Sequence, residues 1–272
     1  MNTNKFKLLF FLSFLVLIFI VESCSTVPLT GRSQMNLLPE SSMVEMSLTS
    51  YDEFLDTNKV STNQEQIAMV KRAGANISAA VEKYLKDNGY ESYLQYFQWE
   101  FNLVENETPN AWCMPGGKVV VYTGLLPLTQ TEAGLAVVMG HEIAHAVARH
   151  GNERMSHSML VQMGGVAIGE ALKEKPEQTQ AIFSSAYGIG TQVGVMLPFS
   201  RQHEYEADKM GLIFMAIAGY NPQEAVAFWQ RMSENSGQTT PELLSTHPVD
   251  SNRIAALNEI MPEAMNYYHS NN

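Results

Sequence analysis

The segment TEAGLAVVMGHEIAHAVARHG, residues 131–151, decides how the rest of the chain reads. Thr131 is a good helix cap and Glu132 an acidic residue for a first turn, so a long helix is predicted over Thr131–His150. His141 and His145 are four residues apart. On a helix that spacing stacks both imidazoles on one face, where they can share one cation. Glu142 sits about 100° round the helix and can reach a water on that cation. Leu135, Ala136, Val137, Val138, Ala144 and Val147 surround the three polar residues. Such a helix is buried, and burying two histidines and a glutamate without a task is costly.

A catalytic zinc takes three protein ligands and keeps one open position. A third histidine from the same segment stands ten residues after the first, with glycine at the seventh. Gly151 and Ala148 occupy those places, and His150 falls one short. The remaining source is a carboxylate from a second helix. SRQHEYEADKMG, residues 200–211, carries Glu204 and Asp208 four apart on one face. One can ligate the metal while the other orients a ligating imidazole. Glu206 points elsewhere and reads as a solvated charge. His203 faces about 100° away from Glu204 and reads as a surface or supporting histidine.

Outward from these helices, residues 96–104 (YFQWEFNLV) alternate and predict a strand. Asn110–Gly117 (NAWCMPGG) reads as a turn, and KVVVYT, residues 118–123, as a second strand antiparallel to the first. Two helices are predicted between Met43 and Tyr84, broken near Thr57–Asn63. Glycines at 164, 165, 169, 188, 190 and 194 predict two helices in close contact over 159–199. Further helices are expected over 201–219, Pro222–Ser233 and Val249–Ile260. The whole is a mostly helical α+β domain with a small β-sheet beside the active-site helix.

The chain has 272 residues, 45% hydrophobic, and a net charge of -11, which argues against a nucleic-acid partner. Residues 1–23 join Lys5 and Lys7 to an apolar run, Leu8–Val21, of 14 residues, short of the roughly 20 a spanning helix needs. Ser23 before Cys24 resembles a lipoprotein signal, with an uncleaved anchor as the alternative. The expected layout is a signal peptide over 1–23, a lipidated Cys24 and tether over 24–42, and one domain over 43–272. The expected address is the periplasm, with a lipid anchor in a membrane, the outer one by the Ser25 that follows Cys24. Cys113 is then a lone thiol and reads as a small core residue.

HEIAH, ARHGNERMS and SRQHEYEADKMG together resemble the HtpX/CAAX-prenyl-protease family of zinc metallopeptidases, a gluzincin group. The likeness runs from PLTGR at residues 28–32 through NAWCMPGGKVVVYTGLL to THPVDSNRI at residues 246–254. It is nearest the periplasmic lipoprotein-like BepA/LoiP branch and the mitochondrial OMA protease. The resemblance implies a zincin-like fold and one zinc held by His141, His145 and Glu204. It implies that Asp208 supports a ligating histidine and that Glu142 is the general base. It also puts the KVVVYT strand at the sheet edge beside the cleft, so Val119, Val120 and Val121 are expected to bind extended, unfolded polypeptide. His247 and Arg253 are candidates for stabilising the oxyanion, with His247 alternatively closing the open zinc position. The expected activity is quality-control proteolysis of unfolded or misassembled envelope proteins. A non-catalytic or dual-role assembly factor for outer-membrane proteins, with a structural metal, is the alternative. The sequence carries no signal for oligomeric state.

Overall fold

The computed structural model describes residues 24–192, 196–234, 243, 247 and 251–271. The expected signal stretch, 1–23, lies outside the described residues, as do Thr246 and Pro248. The chain opens with a small antiparallel hairpin, β1 (Cys24–Thr26) and β2 (Ser33–Met35). Helices α1 (Glu40–Thr57) and α2 (Gln64–Asp87) follow. Next come β3 (Glu100–Val104), β4 (Ala111–Met114) and β5 (Lys118–Tyr122). The remaining long helices are α3 (Glu132–Val147), α4 (His150–Leu172), α5 (Glu177–Thr191), α6 (Leu197–Ile217), α7 (Glu224–Glu234) and α8 (Ser251–Asn271). Among the described residues, no helix is long and apolar enough to cross a membrane.

Helix α3 is the axis of the domain. The Thr131 hydroxyl accepts the Gly134 N–H at 3.0 Å, capping its first turn. Every residue from Gly134 to Val147 is buried. The helix packs most extensively on α6 and also against α2 and β4. It ends earlier than predicted. Arg149 takes a left-handed conformation (φ 57°), so the helix expected to reach His150 stops at Val147 and α4 starts at His150. The strain at Arg149 is offset by its side chain, which lies 4.0 Å over the Tyr93 ring and 3.3 Å from Glu40.

Two glycines set how closely α3 meets α6. A Cβ on Gly211 would lie 2.9 Å from the Gly140 carbonyl carbon, and one on Gly140 would lie 3.0 Å from the Gly211 oxygen. Backbone therefore touches backbone one residue before His141 and three after Asp208. That contact brings the two chemical motifs into a common plane of the fold.

The sheet differs from the reading of the sequence in three ways. Its order is β3-β5-β4, and β5 runs parallel to β3 rather than antiparallel. The stretch taken as a turn contains β4, whose four residues precede the Pro115-Gly116-Gly117 reversal. Strand β5 is central, not at the edge, and Val119, Val120 and Val121 are fully buried. A continuous apolar run is what a strand covered on both faces requires. Each valine contributes roughly 1.5–3 kcal/mol by burial, and none of the three is available to a substrate.

The expected tether is also packed. Val27 and Gln34 are buried, and Arg32 reaches into the interior. Helices α4 and α5 lie side by side, with Gly164 beneath Tyr187, whose hydroxyl donates to the Val161 carbonyl at 2.9 Å. Gly169, Gly188 and Gly190 face open space, so glycine contact covers only part of this pair. The last helix runs well past Ile260, through Pro262.

Candidate metal centre

Four side chains converge between α3 and α6. His141 and His145 point the same way from α3, with Nε2 atoms 3.1 Å apart. Glu204 on α6 faces both, Oε2 lying 3.3 Å from His141 Nε2 and Oε1 3.4 Å from His145 Nε2. His247 completes the group, its Nδ1 2.9 Å from Glu204 Oε2 and 3.2 Å from His141 Nε2. All four ligand atoms lie within 4.8 Å of one another. Zinc with bonds of about 2.0–2.1 Å in a tetrahedron separates its ligand atoms by roughly 3.3 Å. The observed spacings match that figure, and two imidazoles with a carboxylate are a donor set that suits zinc.

Electrostatics favour positive charge at this point. Burial opposes ionisation of Glu204, yet hydrogen bonds from His141, His145 and His247 hold its carboxyl far below the ordinary range. Burial likewise opposes a charge on His141, but hydrogen bonds to Asp208 and Glu204 carry it to about 9. Burial depresses His145 well below its usual value, which keeps one ring nitrogen's lone pair available.

Behind His141 lies a carboxylate–arginine pair. Asp208 Oδ1 is 2.9 Å from His141 Nδ1. Arg253 donates to Asp208 through Nε at 2.7 Å and through Nη2 at 2.8 Å. Its guanidinium lies 3.7 Å over the Trp229 ring and is 1% exposed. Arg253 therefore sits behind the ligands instead of reaching the cleft. The expectation that it stabilises an oxyanion is corrected by that placement.

The cleft in front holds a cavity of about 430 Å³, lined by β4 residues Ala111, Trp112 and Cys113 and by Glu142, His145, Arg154, Glu204 and His247. Glu142 is 4% exposed, and its Oε1 makes no hydrogen bond among the described residues. His247 Nε2 approaches that oxygen at 3.4 Å, too long for one. A buried carboxylate oxygen without a donor is costly, unless a water or reactant fills the place. Among the described residues β4 pairs with β5 on one side only, so its other edge is the strand edge at the cleft.

Two residues read as peripheral are interior. Glu206 is 7% exposed and accepts from Arg32 Nε at 2.8 Å. His203 is fully buried, its Nε2 2.9 Å from Glu153 Oε2 and its ring stacked 4.0 Å from His150. His150 does not join the four-residue group; its Nδ1 lies 2.8 Å behind His145 Nδ1. Sequence reasoning missed this second layer, and missed Gly140 and Gly211, although two glycines inside buried helices were a visible signal. Cys24 is exposed at the start of β1.

The chain matches peptidase family M48 over residues 72–261, more than half its length. It belongs to that family of zinc metallopeptidases. Among curated relatives, the mitochondrial metalloendopeptidase OMA1 of Schizosaccharomyces pombe is 36% identical over 186 residues, 68% of this chain and 53% of that protein. The human mitochondrial metalloendopeptidase OMA1 is 29% identical over 271 residues, 96% of this chain and 51% of that one. The beta-barrel assembly-enhancing protease of Escherichia coli K12 is 30% identical over 163 residues, 58% of this chain and 33% of that protein. The chain thus spans about half the length of the mitochondrial relatives. These matches overturn the expected periplasmic, outer-membrane address. The mitochondrial relatives reach 36% identity against 30% for the bacterial protease.

Proposed function

We propose that the protein is a zinc-dependent endopeptidase that cleaves extended segments of unfolded or misassembled proteins. The observation that carries this reading is the buried Glu142 Oε1, which accepts no hydrogen bond, beside three ligand atoms spaced for one cation. His141, His145 and Glu204 would hold the metal, which supplies a Lewis acid for the scissile carbonyl and lowers the pKa of water. Glu142 takes a proton from the attacking water as its oxygen bonds to the carbonyl carbon. It returns that proton to the amine nitrogen as the C–N bond breaks. A purely structural site has no use for such a base, which weighs against the non-catalytic alternative.

The substrate strand is β4 rather than β5. An extended peptide adds to the β4 edge through main-chain hydrogen bonds, which demand an unfolded segment and tolerate many sequences. N-methylation of alternate amides in a model peptide should raise KM in one register and leave it unchanged in the other. Equal effects in both registers would count against strand addition.

His247 supports a resting state. Its Nδ1 stands among the ligand atoms, where it would fill the fourth position until substrate displaces it. The proposal is tested by casein digestion with wild type and Glu142→Gln, each with chelator and with added zinc. Wild-type activity should vanish with chelator and return with zinc, and Glu142→Gln should stay inactive while holding zinc.

A further inference from the structure

His145 and His141 are backed differently. His141 passes directly to Asp208 and Arg253, whereas His145 has another histidine behind it. The hydrogen-bond directions along that second route are forced. If His145 gives its Nε2 lone pair to a cation, its proton must sit on Nδ1. That proton faces His150 Nδ1 at 2.8 Å, which must then be the acceptor. His150 therefore carries its own proton on Nε2, where it donates to Glu206 Oε2 at 3.0 Å. Glu206 Oε2 also accepts from Arg32 Nε at 2.8 Å, and Glu206 Oε1 accepts from the Thr30 hydroxyl. Arg32 is fixed in turn, its Nη1 and Nη2 donating to Glu153 at 2.9 and 2.7 Å.

We infer that Arg32, Glu206 and His150 are positioning residues for His145, so that the N-terminal hairpin is a working part of the metal centre. This rests on the reading of His145 as a zinc ligand. The chain sets the tautomer and ring angle of His145 as Asp208 and Arg253 do for His141. A carboxylate and an arginine stand behind each imidazole, one pair in direct contact and the other one ring removed. Arg32 comes from the loop between β1 and β2, 174 residues before Glu206. Its side chain is only 16% exposed, and both carboxylates it joins are nearly enclosed. The hairpin thus holds Arg32 between α4 and α6, and with it the direction of every donor up to His145. Groups of this kind typically alter metal affinity 10–100-fold when removed.

The test uses the full chain and zinc itself. Zinc dissociation constants are measured by chelator competition for wild type, His150→Phe, His150→Asn and Arg32→Met, with melting of each metal-free protein recorded in parallel. His150→Phe keeps a ring but has neither nitrogen; His150→Asn keeps an acceptor and a donor. We expect zinc binding about 10–100-fold weaker in His150→Phe and Arg32→Met, and within about threefold of wild type in His150→Asn. Cobalt-loaded His150→Phe should also show a shifted visible spectrum. Unchanged affinity in His150→Phe, or equal weakening in the Asn and Phe variants, overturns this inference alone. So does a loss of affinity that only follows the melting of the metal-free proteins. Absence of zinc from wild type overturns the reading of the site as well.

Discussion

Two buried groups of histidines and carboxylates sit one ring apart, and only one is built for a cation. In the first, His141, His145, Glu204 and His247 aim their ligand atoms inward to within 4.8 Å. In the second, His150 and His203 stack face to face and send their Nε2 atoms to different carboxylates, Glu206 and Glu153. Arg32 already supplies the positive charge there. In the first group Arg253 binds Asp208 and lies 3.6 Å from Glu204, and Arg154 lines the cleft with Glu204 and Glu142. The residue types are nearly the same in both. Convergence of lone pairs, rather than composition, separates a metal site from an ionic staple.

The largest effect that would sharpen this contrast is on catalysis. Glu142→Gln should reduce peptide hydrolysis by roughly 10³-fold with zinc content unchanged, measured by a fluorogenic peptide and elemental analysis. Retained turnover would break the assignment of Glu142. Next comes the helix crossing that both groups depend on. Gly211→Ala places a Cβ against the Gly140 backbone and should destabilise the metal-free protein by about 1–3 kcal/mol in urea unfolding. A smaller effect is expected at His247. Replacing it with alanine should raise activity severalfold if it closes the resting site. A large loss would instead favour oxyanion stabilisation, and no change would dispose of both roles.

The smallest effect is the share of the acid pH dependence that Glu153 contributes from the second group. Burial pushes the Glu153 carboxyl up, but hydrogen bonds from Arg32 and His203 outweigh it and hold the group below its usual range. The folded value thus lies below the unfolded one, near 4.3. Its contribution to stability is present above that value and lost as pH falls through the folded value. Urea unfolding of the metal-free protein below about pH 4.5 should show this loss, and Glu153→Gln should make the slope against pH shallower.

Much of the first group was legible because its information is local. His141 with His145, and Glu204 with Asp208, are pairs four residues apart, and helical geometry alone puts each pair on one face. The second group was not legible, because its organising residue lies 174 positions from one partner and 121 from the other. The Ser-, Pro- and Thr-rich composition around Arg32 reads as a linker, and nothing local signals that it folds back. The sheet failed for a related reason. Strand β4 is four residues long and ends in Pro115-Gly116-Gly117, so turn chemistry hid it. The parallel pairing of β3 with β5 is a choice of topology that alternation of side chains cannot encode.

The most direct test of the account is zinc per chain after gel filtration in wild type, Glu204→Ala and His203→Gln. We predict one zinc per chain in wild type and in His203→Gln, and none in Glu204→Ala. A wild type without stoichiometric zinc, or full retention in Glu204→Ala, would contradict it.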